Sequence, residues 1–541
     1  MTTAVFLLTV AFYSFTWFHG LKGGVSTIGA ERVLNGEIPY RDFWTMYAPG
    51  HFYLLALLFR VFGTHLLVEV VAASVVSATA ASMLYLLVRN LAGHLPSVVC
   101  AAAFVMAMFH TGYFQTLNTY PPVILCILTS HYLAVRSYRS GKTGYLFGCG
   151  LATGVAILFK HDVGAYTAAA IAAGLAAYNL VSQPDVSVAL RRTAVHVLIY
   201  SGGIVALVLL PASYFVYAAG PDLFQDLFVF PATDFRYARP ESYPPILPAG
   251  LFAPSLTKTA DNLFIWAALT LPLIPVAAGL FATIRSIRKR APLSAATGVT
   301  FLAAWLLHYL AAHVQINTHV ISMAVYASAL GAMAYESIVP ERYRTLKPAF
   351  AALFVLVWFL SFAARPAYLL WIGFQSQTAV LHLPRLTGFK VSTEEAAALE
   401  GLSEIVKRYI PEDAKVYAGL RRHDVVIVND PLLYFVLGRP PATRYHELHP
   451  AVTDTAAVQA EMIHDLRASK VPVVVLSEMF SDDILEAAKA DFAKHLPRAG
   501  AADLDRYLRD NYYPAVRLSQ HTVWLHRSIP APTMSSGSGA R

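Results

Sequence analysis

Charge is what this 541-residue sequence has little of: Asp, Glu, Lys and Arg together make up 14% of it, against roughly 25% in an average soluble chain. That shortage excludes an ordinary cytosolic globule, and the apolar content excludes disorder. Cysteine is scarce too. Cys100, Cys126 and Cys149 all lie in apolar runs. An odd number without metal-ligand spacing excludes a disulfide framework and a zinc cluster, so they read as small buried hydrophobes. No phosphate-binding glycine loop and no internal repeat is present. The apolar N-terminal run through Trp17 has no basic leader and no small-residue cleavage site, so it reads as a retained first span.

What the chain does have is apolar length. Hydrophobic residues reach 56%, mean hydropathy is +0.51, and 29 Tyr, 31 Phe and 7 Trp supply the aromatics that membrane interfaces favour. The net charge of +8 collects in short basic loops and argues against a nucleic-acid partner. A helix needs about 20 apolar residues to cross the hydrocarbon core. The stretches 3–19, 65–88, 95–110, 121–137, 145–160, 163–181, 194–218, 262–284, 295–312, 318–337 and 348–366 qualify as spans. Residues 48–63 are apolar but short and carry Pro49, His51 and Arg60; they form either a twelfth span or a helix lying at the interface.

Basic residues set the orientation. Arg89, the Arg136–Arg139–Lys142 group, Arg191–Arg192, Arg285 to Arg290, and Arg342 to Lys347 fall on one face if 48–63 does not cross. That face is expected to be cytoplasmic, with the N-terminus inside. If 48–63 crosses, an outside N-terminus preserves the later pattern. From about 390 the composition changes. Helices at 393–409, 429–437, 453–469 and 482–495 alternate with short strands at 414–418, 471–477 and 516–527, which argues for a small α/β domain. The expected fold is therefore a polytopic α-helical membrane protein of about eleven transmembrane helices, or twelve, over 1–389. Its outer loops are 20–64 and 219–258, an extracytoplasmic α/β domain covers 390–529, and a Pro-, Ser- and Gly-rich disordered tail follows at 530–541.

The polar residues near span ends gather on the outer side. The first outer loop holds Glu31, Arg32, Glu37, Arg41, Asp42, Tyr47 and His51. A carboxylate here is expected to be partly desolvated and thus more basic. Asp42 then accepts a proton from a hydroxyl nucleophile, or else pairs with Arg41 or Arg32 and fixes the loop. Lys160-His161-Asp162 ends the fifth run. Lys160 either snorkels to water or, with His161, holds an anionic headgroup while Asp162 orients His161 or anchors the turn. Arg236 and Arg239 sit among Phe228, Phe230, Phe235, Tyr237 and Tyr243. They suit a phosphate beside an apolar chain, or belong to an interfacial aromatic belt. Asn118 and Tyr120 lie on the next outer turn. His308, His313 and His319 lie around another, without the spacing of a closed zinc set, and His319 with Asn317 reads as a polar contact facing the cavity. Glu69, inside a run, is a functional candidate by default or a packing partner for a residue such as His65. In the C-terminal part, Arg421-Arg422-His423-Asp424 and Thr443-Arg444-Tyr445-His446-Glu447 read as solvated loop faces, or as the rim of a substrate groove.

The run Arg32-Val33-Leu34-Asn35-Gly36-Glu37-Ile38-Pro39-Tyr40-Arg41-Asp42-Phe43, with Tyr47-Ala48-Pro49-Gly50, resembles the first outer loop of bacterial GT-C glycosyltransferases. These are relatives of the family 39 mannosyltransferases and the lipid A aminoarabinose transferases. Phe159-Lys160-His161-Asp162-Val163-Gly164, Asn317-Thr318-His319 and Leu437-Gly438-Arg439-Pro440-Pro441 fit the same pattern. The resemblance covers nearly the whole chain through many weak motifs. It implies a bacterial inner-membrane enzyme with its C-terminal domain in the periplasm or outside. Such an enzyme moves a sugar from a polyprenyl-phosphate carrier to a lipid, glycan or protein acceptor of the envelope. It also implies that 20–64 is an outer loop with helices along the membrane. One departure stands out: where many relatives carry an acidic pair about a dozen residues before Leu34, this chain reads Lys22-Gly23-Gly24. Asp42, then Glu37 and Glu31, are the remaining carboxylates for the base. The implied mechanism places the lipid phosphate at Lys160, His161, Arg236 and Arg239, around a cavity of Arg41, Tyr47, His51, Asn118, Tyr120, Asp162, Asn317 and His319. Asp42 or Glu37 takes the acceptor proton, with inversion at the sugar. No cofactor is dictated, and a divalent metal is left open. The competing classes are a transporter or lipid flippase, which calls for broken helices and an internal repeat, and a non-catalytic membrane scaffold.

Overall fold

The computed structural model describes residues 1–111, 115–238, 259, 262–263, 266–267, 270–311, 316–338, 347–360, 378–411 and 413–530. Each apolar stretch coincides with a helix, the stretches 262–284 and 348–366 being described in part. In chain order the helices are α1 (Thr2–Ser14), α2 (Val25–Leu34), α3 (Gly50–Phe62), α4 (Leu66–Arg89), α5 (His94–Thr111), α6 (Tyr120–Ser140), α7 (Thr143–Phe159), α8 (His161–Ser182), α9 (Val186–Ala219), α10 (Leu273–Arg288), α11 (Pro292–Ala311), α12 (Ile316–Ile338) and α13 (Lys347–Trp358). Four of the described helices, α4, α8, α9 and α11, are long and apolar enough to cross a membrane by length and composition.

Local chemistry sets the ends. Prolines at the start of α6 need no partner for their missing N–H. Asp185 caps α9 by accepting from the Ser187 and Val188 N–H groups. The α3 helix has 13 residues, about 20 Å at 1.5 Å per residue, against a hydrocarbon core of about 30 Å. It is too short to span unaided and packs instead on α2 and on the end of α7. Gly50, its first residue, makes this possible: a Cβ there would lie 2.7 Å from the Leu158 carbonyl oxygen. In the bundle α8 packs on α11, α7 on α6 and α9, and α12 on α5, α10 and α11.

The C-terminal segment holds β1 (Thr378–Val380), β2 (Lys390–Ser392), α14 (Thr393–Tyr409), β3 (Tyr417–Leu420), α15 (Leu432–Leu437), α16 (Ala456–Ala468), β4 (Val473–Ser477), α17 (Asp482–His495), α18 (Asp503–Asn511), β5 (Tyr512–Leu518) and β6 (His521–His526). The larger sheet has the order β3-β4-β6-β5. Strands β3 and β4 are parallel, joined across α15 and α16, and the remaining pairs are antiparallel. Every residue of β4 is buried, which is why it reads as an unbroken apolar run.

The first outer loop and this C-terminal segment share one core. Ile28, Leu55, Phe59 and Val70 cluster with Leu399, Leu402, Leu433, Phe435 and Val475. The β1–β2 hairpin is sewn to the end of α1: Lys390 N–H donates to Phe18 O at 2.6 Å, and Gly20 N–H donates to Lys390 O at 2.7 Å. This shared core corrects the expectation of solvated loops. Thr443, Tyr445, His446 and Glu447 are buried, as is His423. His423 Nδ1 lies 2.7 Å from Asp505 and its Nε2 2.7 Å from the Tyr417 hydroxyl. Only Arg421 and Arg422 of that cluster face outward, paired with Asp482 and with Asp424 and Glu486.

Candidate functional site

Lys160 stands between α7 and α8 in an extended conformation, which breaks the helix just where the apolar run ends. Its side chain is 14% exposed, and Nζ lies 3.1 Å from Asp162 Oδ2. It also sits 5.8 Å over the Tyr120 ring. Asp162 occupies the first turn of α8, where a carboxylate complements the positive end of the helix. Its second oxygen is buried without a hydrogen-bond partner. His161 packs against Phe228 at 5.0 Å between ring centroids. Phe228 belongs to a π-helical turn at Gln225–Val229, so the second outer loop folds over this corner. His319, buried, lies close enough to Asp162 for their charges to interact. Its Nδ1 is 2.9 Å from His308 Nδ1. Lys160, His161, Asp162, Tyr120 and His319 thus come together. Asn118 stands beside them as a turn residue, its Oδ1 accepting from the Tyr120 N–H at 2.8 Å.

The first outer loop is organised by Arg32, which is 7% exposed. Its Nε pairs with Glu37 at 2.6 Å. Its Nη1 donates to Thr443 O at 3.1 Å and its Nη2 to Asp42 O at 2.9 Å. The guanidinium lies 5.0 Å over the Phe43 ring. Asp42 is gripped on both oxygens: Arg41 Nε donates to Oδ1 at 2.9 Å, Arg41 Nη2 to Oδ2 at 2.7 Å, and the Ile38 N–H to Oδ2 at 2.7 Å. The Arg41 hydrogen bond holds the Asp42 carboxyl below the usual range. The expectation of a more basic Asp42 is corrected here, because the paired arginine outweighs the desolvation. Glu31, by contrast, is raised by burial even though Arg385 donates to it at 2.7 Å.

The remaining predicted residues divide. Tyr47 joins the loop to the C-terminal segment, its hydroxyl donating to Glu447 Oε1 at 3.3 Å. His51 is 1% exposed with Nδ1 3.0 Å from Ala48 O, a core position rather than a cavity wall. Arg236 donates to the Tyr237 hydroxyl at 2.7 Å, and Tyr237 stacks on His495 of α17; none of its described contacts is with Lys160. Arg239, His313 and the Asn317 side chain lie outside the described residues. Glu69 has a different partner from the one expected. The Thr27 hydroxyl donates to its Oε2 at 2.6 Å, while His65 Nδ1 accepts from the Leu67 N–H and caps α4. Glu69 stands against Gly23, where a Cβ would fall 3.3 Å from Oε1. Burial lowers the neighbouring Lys22 to about 8.

One residue escaped the sequence reading. Asp226, on the π-helical turn, lines a cleft of about 620 Å³ with Trp44, Phe230, Thr233, Asp234 and Thr455. Burial pushes its carboxyl up to about 7, against the opposing pull of Arg444. A lone acid within Phe224-Gln225-Asp226-Leu227-Phe228 was the available signal. Among the described residues no group of three or more His, Cys, Asp or Glu is placed to hold a metal ion.

Residues 47–225 match the family model of dolichyl-phosphate-mannose-protein mannosyltransferases. No curated protein matches the chain. Among solved structures, ArnT from Cupriavidus metallidurans bound to undecaprenyl phosphate is 16% identical with a TM-score of 0.53, over 96% of this chain and 97% of that one. ArnT in the apo state gives a TM-score of 0.52 at 14% identity, over 96% and 98%. The Archaeoglobus fulgidus oligosaccharyltransferase tethered with an acceptor peptide gives 0.50 at 14% identity, over 98% of this chain and 75% of that one. The family segment and the fold over nearly the full length agree in one respect: this chain is similar to the mannosyltransferase family over residues 47–225 and has an ArnT-like fold.

Proposed function

We propose that the protein is a membrane glycosyltransferase that takes a sugar from a polyprenyl-phosphate carrier and gives it to an envelope lipid, glycan or protein on the outer face of a bacterial inner membrane. The proposal counts about eleven crossings and an N-terminus in the cytoplasm. The observation that carries it is the Lys160 corner. A mostly buried cation stands at the N-terminus of a 22-residue apolar helix, beneath a loop clamped by the C-terminal segment. A helix N-terminus and an ammonium both favour phosphate oxygens, and the adjoining bundle surface suits a prenyl chain. The matched family and the ArnT complex with undecaprenyl phosphate support the same donor chemistry.

In this reading Lys160, His161 and Arg236 stabilise the negative charge that grows on the lipid phosphate as the glycosidic bond breaks. Arg41 is half exposed, so a phosphate can compete for its guanidinium. When it does, Asp42 loses its strongest hydrogen-bond donor, its basicity rises, and it takes the proton of the attacking hydroxyl, with inversion at the anomeric carbon. Glu37, pinned by Arg32, holds the loop. The test is transfer by the purified protein in nanodiscs from synthetic polyprenyl-phosphate sugars, alongside mass spectrometry of envelope lipids and glycans from a deletion strain and its parent. The reading expects an accumulated polyprenyl-phosphate sugar and a lost glycan substituent. Movement of a labelled lipid across the bilayer without glycosyl transfer would make the protein a flippase instead.

A further inference from the structure

Inside the bundle runs a row of polar side chains that the reaction above does not use. α12 carries His319, Ser322 and Tyr326, and α11 carries Phe301, Trp305 and His308. Steps of three and four residues place each set on one helix face, and the two faces meet. The His319 and His308 rings are 5.2 Å apart, the His308 and Tyr326 rings 5.6 Å, and the Tyr326 and His131 rings 5.2 Å. His131 stacks on Phe301 at 5.5 Å, closing the row. Asp162, beside Lys160, stands at its outer end. His131 lies eleven residues into α6, about 16 Å from the start of that helix. The row therefore leads from the outer boundary to about mid-bundle.

This row is not hydrogen-bonded within itself beyond its first pair. His308 Nε2, Ser322 Oγ, Trp305 Nε1 and His131 Nε2 are all buried without a partner, and the Tyr326 hydroxyl has only Thr167 of α8 beside it. Hydrocarbon offers such groups nothing. Their capacities are complementary. Trp305 Nε1–H only donates. His131 Nδ1 lies 2.6 Å from Ile127 O, so it carries the hydrogen, and Nε2 of the neutral ring only accepts. The tyrosine and serine hydroxyls do both. The polar groups next to the row behave differently: Tyr200 Oη donates to Thr153 Oγ1 at 2.8 Å, and Ser130 Oγ and Thr153 Oγ1 are 3.0 Å apart.

We propose that the row is a blind, water-holding well, open beside Lys160 and Asp162 and closed at His131, with internal water bridging His308, Trp305, Ser322, Tyr326 and His131. Water is the ligand that fits: buried water takes two to four polar partners, donors and acceptors mixed. Among the described residues the row has no third metal ligand grouped with its histidines, and its only cation is at the mouth. The bridged imidazoles give a proton arriving at His319 a hydrogen-bonded place to reside.

The test is hydroxyl-radical footprinting of the full-length protein in nanodiscs, with radicals generated from water in place, so that only side chains touching water are oxidised. Tyr326 and Tyr200 are 1% and 2% exposed, so they form a matched pair. The expected result is oxidation of Tyr326 and Trp305 about fivefold or more faster than Tyr200, as water contact requires. Equal rates overturn the proposal. In a second arm, His308→Leu blocks the row with an apolar side chain, and Tyr326 oxidation is expected to fall to the Tyr200 rate. An unchanged Tyr326 rate in a variant that stays folded overturns the row as the path of the water. Neither arm depends on glycosyl transfer, so the well and the enzymatic reading fail separately.

Discussion

Replacing Arg32 by Met is the sharpest probe of how the first outer loop is held. The substitution keeps an apolar stem and removes the guanidinium. That removes the 2.6 Å pair with Glu37 and the hydrogen bonds to Thr443 O and Asp42 O. Breaking a buried ion pair by deleting one partner costs about 3–5 kcal/mol. Glu37 is 34% exposed and regains water once released, so the lower end applies, roughly 3 kcal/mol. At about 1.4 kcal/mol per decade, local opening of the loop becomes about 100-fold more frequent. Native-state proteolysis reads this directly, because cleavage within residues 20–49 follows the open population when opening is fast. Thermolysin cleavage of Arg32→Met is expected to be about 100-fold faster there, and Glu37→Gln in the same background should add little, since the coupling is already lost. Acceleration below about threefold would refute the assignment of Arg32 as the clamp, because that corresponds to well under 1 kcal/mol.

Three further outcomes are expected. Asp42→Asn keeps the loop's shape but removes the proton acceptor, so turnover should fall by about 10²–10⁴-fold while donor binding persists; normal turnover by the purified variant removes Asp42 from the mechanism. Lys160→Ala should weaken binding of the donor lipid, measured by titration in nanodiscs, and unchanged affinity would leave Lys160 as a snorkelling residue. Asp226 has its carboxyl raised to about 7 in the folded chain against about 3.9 when unfolded. The folded state thus keeps a proton that the unfolded state releases, and stability is lost as pH rises from about 4 to about 7. Asp226→Asn should flatten that part of the profile of melting temperature against pH, and an unaltered slope would show that the carboxyl titrates normally.

Much of this was legible in the chain because it is local. Apolar length marks each helix of the bundle, and α17 follows from apolar spacing between an acidic first turn and a basic last turn. Lys160, His161 and Asp162 are adjacent in sequence, so their grouping needed no fold. Asp42 shows the boundary. Its neighbour Arg41 made both a base and a loop-fixing pair readable, and the Ile38 N–H, four residues back in chain, together with the turn it closes, settles the resting state as paired.

Partners distant in sequence carried no such mark. Glu69 meets Thr27 across 42 positions, and Arg32 meets Thr443 across 411. The loop Thr443 to Glu447 looks solvated because its residues are polar, yet it is buried by the first outer loop docking on it. Hydrophobic periodicity reports which face of an element avoids water, and says nothing of which other element supplies the cover. By itself, then, the sequence determined the membrane-embedded class, the positions of the helices and the grouping of Lys160, His161 and Asp162 at a helix end, because each depends on composition over one or two turns. The tertiary structure alone decided that Arg32 clamps two distant segments, that Asp42 rests against Arg41, and that His131, Tyr326, His308 and His319 line up. Those facts depend on which helix faces meet, and close packing across hundreds of residues sets that choice.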